Sequence, residues 1–221
     1  MSMVKHFIEE AIRNEELDAF LAKELERAQY GGVEVTKTPM GSRVIVYATK
    51  PGIVIGRRGA NIRELTRVLE EKFNLNNPQI AVSEIEIPEL NPRVMACRIA
   101  EGLQRGLHFR RTGFWALNRI MNAGALGTEI IIRGKLTSRR HRYEKYRGGY
   151  IPKSGDPALK NTRTANVYVK LKQGILGVRV NIIPPDASFP DSVEVKQIVE
   201  QEESVEEPPV ESLPETAEVD T

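Results

Sequence analysis

The sequence predicts an α+β protein of two small units in succession, the second with helices packed on a small sheet, followed by a disordered acidic C-terminal tail. Three observations lead there. Short β-branched, alternating runs are interspersed with apolar stripes of helical spacing, in an order that does not repeat a βα unit. The pair Asn91-Pro92, a helix cap followed by a residue suited to a first helical position, opens a new unit after residue 90. Beyond Pro184-Pro185 the chain loses its periodicity and turns acidic. The expected division is therefore 1–90, 91–185 and a tail of 186–221.

The elements follow in order. Phe7, Ile8, Ala11 and Ile12, then Leu17, Phe20, Leu21 and Leu25, place one or two amphipathic helices over Val4–Ala28, with a break near Asn14. Gly31-Gly32 is expected to close them. Val33–Thr38 and Arg43–Thr49 alternate as paired strands across "PMGS". A short helical turn over Pro51–Ile55 leads to Gly56–Gly59, and Ile62, Leu65, Leu69 and Phe73 then mark one face of a helix from Ala60. "NNPQIAVSEIEI" returns as a strand. In the second unit Val94–Leu107 is helical, "HFRRTG" breaks it, and Phe114–Ala123 is helical again. Strands are expected at Thr128–Leu136, Asn166–Lys172 and Gly177–Ile183, the last two a hairpin over "QGIL". The long basic stretch between the first two reads as a loop, and loops of that length are usually functional.

Composition bounds the function. The 221 residues carry a net charge of +2, but twelve acids and one lysine from Asp186 onward leave the tail at −11. Residues 1–185 hold 31 Lys and Arg against 18 Asp and Glu, a net of +13. A basic body calls for a polyanionic partner, and its acidic tail, which repels phosphate, is suited to lying in solvent, to recruiting a basic partner or to folding back over the body. No apolar run reaches the roughly 18–20 residues of a membrane helix, and no secretory leader is recognisable at Met1, so a soluble, intracellular chain with no membrane partner is expected. The single Cys97 excludes an internal disulfide and reads as a core thiol.

The stretch "PGIVIGRRGANIREL" sets two glycines around two arginines, between an apolar run and a helix. Glycines allow close approach to a phosphate-ribose backbone, the N-terminus of the following helix favours an anion, and Arg57 and Arg58 add charge-assisted contacts. Ile53, Val54 and Ile55 are placed to line a groove for bases. In this setting the motif predicts a KH module, in which such a loop clamps single-stranded RNA. The extra helix and strand ahead of it match the type II arrangement. Lys50, Gly56, Arg57, Arg58, Gly59 and Arg63 form the first candidate RNA-binding set.

To about Pro185 the chain resembles the family of small-subunit ribosomal protein number three, the KH-bearing proteins of the subunit head. The resemblance rests on "ELDAFLAKELERAQYGGVEV", "KPGIVIGRRG", "FRRTGFWALNRIMNAGALGTEIIIRGKL", "SGDP" and "QGILGVRVNIIPP", the last two nearer to archaeal and eukaryotic members. It implies binding to small-subunit rRNA, contact with head proteins ten and fourteen, and a place in the wall of the channel through which messenger RNA enters. Arg110 and Arg111 fall on the motif whose arginines line that channel. Leu126 stands where the family often has lysine, and Phe114 and Trp115 where bacterial relatives are basic. A cytoplasmic location within the small subunit follows from the resemblance.

The run from Arg133 to Arg147 holds seven basic residues, one acid and two tyrosines, the composition of a phosphate-tracking segment or of a solvated loop. Arg139, Arg140, Arg142, Lys145 and Arg147 complete the candidate set. Lys170, Lys172 and Arg179 read equally as an ordinary solvent face or part of a basic surface, and Trp115 reads as core. Catalysis finds little support: His6, His108 and His141 are scattered, and no phosphate-binding or nucleophile motif occurs, so neither an enzyme nor a cofactor or metal is expected. Two alternatives stand beside the structural role. One is a free KH regulator of RNA; the other, drawn from eukaryotic relatives, is abasic-site cleavage through a Schiff-base lysine.

Overall fold

A computed structural model of the chain describes residues 3–39, 41–73 and 75–190. The acidic tail expected from 186 falls, from 191 onward, outside the described residues. Residues 3–187 form one compact unit containing two apolar cores.

The first core is built on a three-stranded sheet of order β1-β2-β3. Helix α1 (Met3–Glu24) precedes β1 (Tyr30–Thr38) and β2 (Gly41–Ala48), which pair antiparallel. Helices α2 (Pro51–Ile55) and α3 (Ala60–Phe73) then carry the chain back to β3 (Gln79–Glu84), which pairs parallel with β2. Leu17 and Leu21 of α1 meet Val44 and Val46 of β2, Val54 of α2, and Leu65 and Leu69 of α3. This is the α+β, type II order read from the sequence.

Two local expectations fail. Helix α1 runs unbroken through Asn14, because the polar residues there face solvent and nothing interrupts the backbone ladder. Its apolar stripe is covered only in the second half, and Phe7, Ile8 and Ile12 stay exposed. Gly31-Gly32 does not close a helix either. Gln29, at φ 55°, makes the left-handed turn, and the glycines lie inside β1 at a register shift. There Gly31 lets the strand approach Ile85 and Asn91, where a Cβ would collide with both side chains.

The second core begins with Asn91, whose Oδ1 accepts from the N–H groups of Arg93 (3.0 Å) and Val94 (3.4 Å) and so caps α4 (Pro92–Gln104). Helix α5 starts at Phe109 and runs to Asn122, so Arg110 and Arg111 belong to its first turn and not to a break. The interruption is confined to Arg105–His108, where Gly106 takes φ 87° and His108 Nδ1 accepts from the Arg110 N–H. Gly113, which looked like a helix breaker, lets the Tyr146 ring lie against the helix: a Cβ there would sit 2.5–2.8 Å from three ring carbons.

Both helices cover one face of a four-stranded antiparallel sheet of order β5-β4-β7-β6. Its strands are β4 (Gly127–Gly134), β5 (Arg142–Gly149), β6 (Arg163–Leu171) and β7 (Gly174–Ile183), with a short α6 (Asp156–Asn161) before β6. Ile130, Ile132, Val178, Val180 and Ile182 point into this core. The basic stretch taken for a loop thus contains a strand and a helix. Tyr143, Lys145 and Arg147 alternate with Glu144, Tyr146 and Gly148, and only Tyr146 of the inward set is apolar, so the period of two gave little hydrophobic signal. Trp115, expected in the core, is 44% exposed, with the Arg119 guanidinium 5.8 Å from its ring. Cys97 is partly buried, and burial pushes its thiol up to about 11.

The cores are tied by ion pairs. Arg93 of α4 grips Asp18 of α1 with two bonds of 2.7 and 2.6 Å, and the Tyr30 hydroxyl donates to the same carboxylate at 2.6 Å. Burial alone would raise Asp18; hydrogen bonds from Arg93 and Tyr30 outweigh it and hold the carboxyl below its usual range. Glu89, in the connection, accepts from Arg98 of α4 and Arg119 of α5. Arg98 also reaches Gln29 Oε1 at 3.3 Å.

Candidate nucleic-acid interface

The glycine-arginine turn is built from unusual backbone. Gly56 has φ 73° and ψ −179°, a region closed to residues with a side chain, and Gly59 has φ 74°. A Cβ on Gly56 would also strike Asn61, whose amide donates to the Ile53 carbonyl at 3.0 Å and locks α2 to α3. Arg58 itself is left-handed, at φ 52° and ψ 28°. Arg63 holds that conformation: its guanidinium folds back from α3 to donate to the carbonyls of Arg58 and Gly59. Arg63 is therefore a brace for the turn as much as a free cation.

The brace turns Arg57 and Arg58 outward, both exposed, at the entrance to the positive end of α3. Lys50 is exposed at the start of α2. Of the three apolar residues read as a groove, Ile53 and Ile55 are exposed but Val54 is fully buried; it anchors α2 to the core and is unavailable to a base.

The second group lies on the other core. Arg110 and Arg111 emerge from the first turn of α5, where two cations oppose the helix dipole; together with the helix end they concentrate positive potential. Arg110 lies 3.7 Å from Glu144 of β5, a loose and solvent-screened pair. Arg111 borders a cavity of about 390 Å³ whose wall includes Arg98, Arg105, Leu107 and Trp115. Phe114, also exposed, packs edge-on against Tyr146 at 5.1 Å between ring centres.

The five basic residues of the supposed loop separate. Arg139 and Arg140 precede β5 and are exposed. Arg142 begins the strand. Lys145 and Arg147 lie on the sheet face turned away from the helices, opposite Ile131 and Glu129 of β4. Arg147 donates to the Ile151 carbonyl at 3.2 Å. Glu129, almost fully buried, accepts from Lys153 (2.6 Å) and Asn181 (3.1 Å), while Lys145 stands 3.4 Å from its other oxygen without completing a hydrogen bond. Burial would raise Glu129, but the two lysines hold it below the ordinary range, so it stays a neutralised carboxylate.

The thirteen candidates therefore form a turn on the first core, a helix end on the second, and a strand with its approach. Lys170 and Arg179, read equally as solvent face or basic surface, lie with Arg133 on one sheet face, a grouping the sequence reading did not make. Their alternation with Ile132, Val169, Val178 and Val180 was the available signal. Among the described residues, no group of three or more His, Cys, Asp or Glu is placed to hold a metal ion, and no helix is long and apolar enough to cross a membrane.

Comparison with known proteins finds two family matches in the chain. Residues 16–90 match the KH domain family, and residues 99–182 match the C-terminal domain of ribosomal protein S3. Small ribosomal subunit protein uS3 of Methanobrevibacter smithii is 47% identical over 206 residues, which span 91% of this chain and 82% of that one. Its counterpart in Methanothermobacter thermautotrophicus is 50% identical over 187 residues, 85% and 72% of the two chains. That of Haloarcula marismortui is 44% identical over 218 residues, 99% and 72%. Likeness at this level over most of the chain means that the chain belongs to the uS3 family of small ribosomal subunit proteins.

Proposed function

We propose that this chain is a structural constituent of the small-subunit head, binding rRNA and lining the channel by which messenger RNA enters. It works by position and charge, without a chemical step. The observation that carries this reading is the Gly56–Gly59 turn, whose backbone is held open by Arg63 and Asn61 at the positive end of α3. Phosphates meet N–H groups and two free arginines there. The domain division at residues 90 and 91, the head proteins ten and fourteen as neighbours, and a cytoplasmic location belong to the same reading.

Arg110 and Arg111 take the messenger-RNA role. They sit on the second core and project from a rigid helix instead of a mobile loop. Replacing both with Ala is expected to spare subunit assembly but slow translation through structured messages more than through unstructured ones. A uniform assembly defect would make them rRNA anchors instead. For the turn, Arg57→Asp with Arg58→Asp should weaken binding of single-stranded RNA about ten-fold or more at low salt, while stability changes by less than about 0.5 kcal/mol. Unchanged binding by the free protein would leave the KH unit as a protein-contact scaffold.

A further inference from the structure

The face of the four-stranded sheet that α4 and α5 do not cover carries an organised set of side chains. Its register places Tyr143, Arg133, Gly177 and Tyr168 in one row across β5, β4, β7 and β6. The next row is Lys145, Ile131, Arg179 and Asn166. Tyr168 and Tyr143 are 76% and 66% exposed. The Tyr168 ring lies along Gly177, where a Cβ would meet ring carbons at 3.7 and 3.8 Å, ordinary contact distance, and most of the ring stays exposed. Beneath it a small hollow is lined by Arg133, Asn166 and Arg179.

The charges are arranged for a polyanion. Asn166 Oδ1 accepts from Arg179 Nε at 2.8 Å, which orients the guanidinium and leaves its terminal nitrogens for another partner. Arg133 makes no ion pair with a described residue. The one acid in these rows or the next, Glu129, is already neutralised by Lys153 and Lys145.

From this juxtaposition we infer that the open sheet face is a second RNA-binding site, one for an unpaired segment. A base stacks on Tyr168, and the backbone crosses Arg133 and Arg179 towards Tyr143. Single-stranded RNA is the class that fits. Flat exposed rings offer stacking only to bases that are free of a duplex, and cations at strand spacing follow a flexible backbone. The site rests on the RNA-binding reading given above but uses none of the residues of the KH turn.

The test uses the full chain and a fluorescein-labelled 12-nucleotide oligouridine, titrated across a salt series. Tyr168→Ala is measured alone and in the Arg57→Asp, Arg58→Asp background, so that failure of the turn and failure of the sheet are read separately. In that background the residual affinity should fall about ten-fold with Tyr168→Ala and be kept by Tyr168→Phe. Arg133→Ala with Arg179→Ala should reduce the salt slope by about 1.4, two phosphate contacts at about 0.7 each on a single strand. Thermal unfolding of each variant checks the fold, and Arg133→Gln with Tyr168→Ser serve as second choices. Equal binding by Tyr168→Ala in both backgrounds would overturn the site and leave Tyr168 as a cover for Gly177. Equal preference for a duplex of the same length would overturn the single-strand assignment. Undiminished oligouridine binding with loss of subunit incorporation would also overturn it, making this face a protein contact.

Discussion

The two cores solve the same task in opposite ways. The first directs its cations through a turn whose backbone is forced: Gly56, Arg58 and Gly59 all have positive φ within four residues. The second directs them from regular elements, the first turn of α5 and alternate positions of β5, β4 and β7. Forced backbone restricts which residues can stand there; regular backbone does not. A turn that requires glycine leaves a pattern in the sequence, whereas a cation on a strand leaves only an alternation.

The comparison can be broken most severely at a glycine outside the turn. Gly127, at the start of β4, lies so close to the Tyr150 carbonyl oxygen that a Cβ would overlap it, and Gly149 stands equally close to the Leu126 carbonyl. Backbone cannot swing aside as a side chain can. Gly127→Ala should therefore destabilise by about 3 kcal/mol, read as the urea midpoint, whereas Gly59→Ala, at φ 74° but with no neighbour inside 3.7 Å, should cost only the left-handed conformational term of about 1 kcal/mol. Equal losses at the two positions would mean that the second core yields as readily as the turn.

A smaller effect probes the join. Asp18→Asn removes the charge that Arg93 and Tyr30 share and should cost about 2 kcal/mol at pH 7. The folded carboxyl sits below its unfolded value of about 3.9, so its contribution is complete above that pH and is lost as pH falls through the folded value. The wild type should thus lose stability from about pH 4 downward, with Glu89 and Glu129 adding in the same sense. Asp18→Asn should flatten that fall; parallel curves for the two proteins between pH 7 and pH 3 would remove Asp18 from the acid response.

This contrast also explains what was legible. The order of the first unit, the Asn91 cap and the Gly56–Gly59 turn were readable because each depends on residue types that few others can replace. Strand β5 was not, since Glu144 and Gly148 occupy inward positions beside the single apolar Tyr146. The start of α5 was missed because Gly113 suggested a break, and its reason for being there, the Tyr146 ring, lies 33 positions away on β5. Exposure of Trp115 is likewise a tertiary fact: its helix buries Ala116 and Ile120, and the indole falls beside that face. Of the candidate residues, the sequence showed their charge but not their division among three elements.

The smallest expected effect separates strain from charge within the turn itself. Arg58 is left-handed, at a cost of about 1 kcal/mol for a residue with a Cβ, and Arg57 is not. Replacing either by glycine removes one cation and loosens the unfolded chain by a similar amount, about 0.4–1 kcal/mol. At Arg58 that loss is offset by relief of the left-handed conformation, and the Arg63 bonds survive because they fall on backbone carbonyls. Arg58→Gly should therefore leave stability within about 0.5 kcal/mol of the parent, while Arg57→Gly lowers it by about 0.5–1 kcal/mol. Both should weaken single-stranded RNA binding to a similar degree, since each removes one charge from an exposed site. Thermal unfolding and low-salt titration of the two variants side by side give the answer. If Arg58→Gly is destabilised as much as Arg57→Gly, the turn stores no strain at Arg58, and its geometry is set by the two glycines alone.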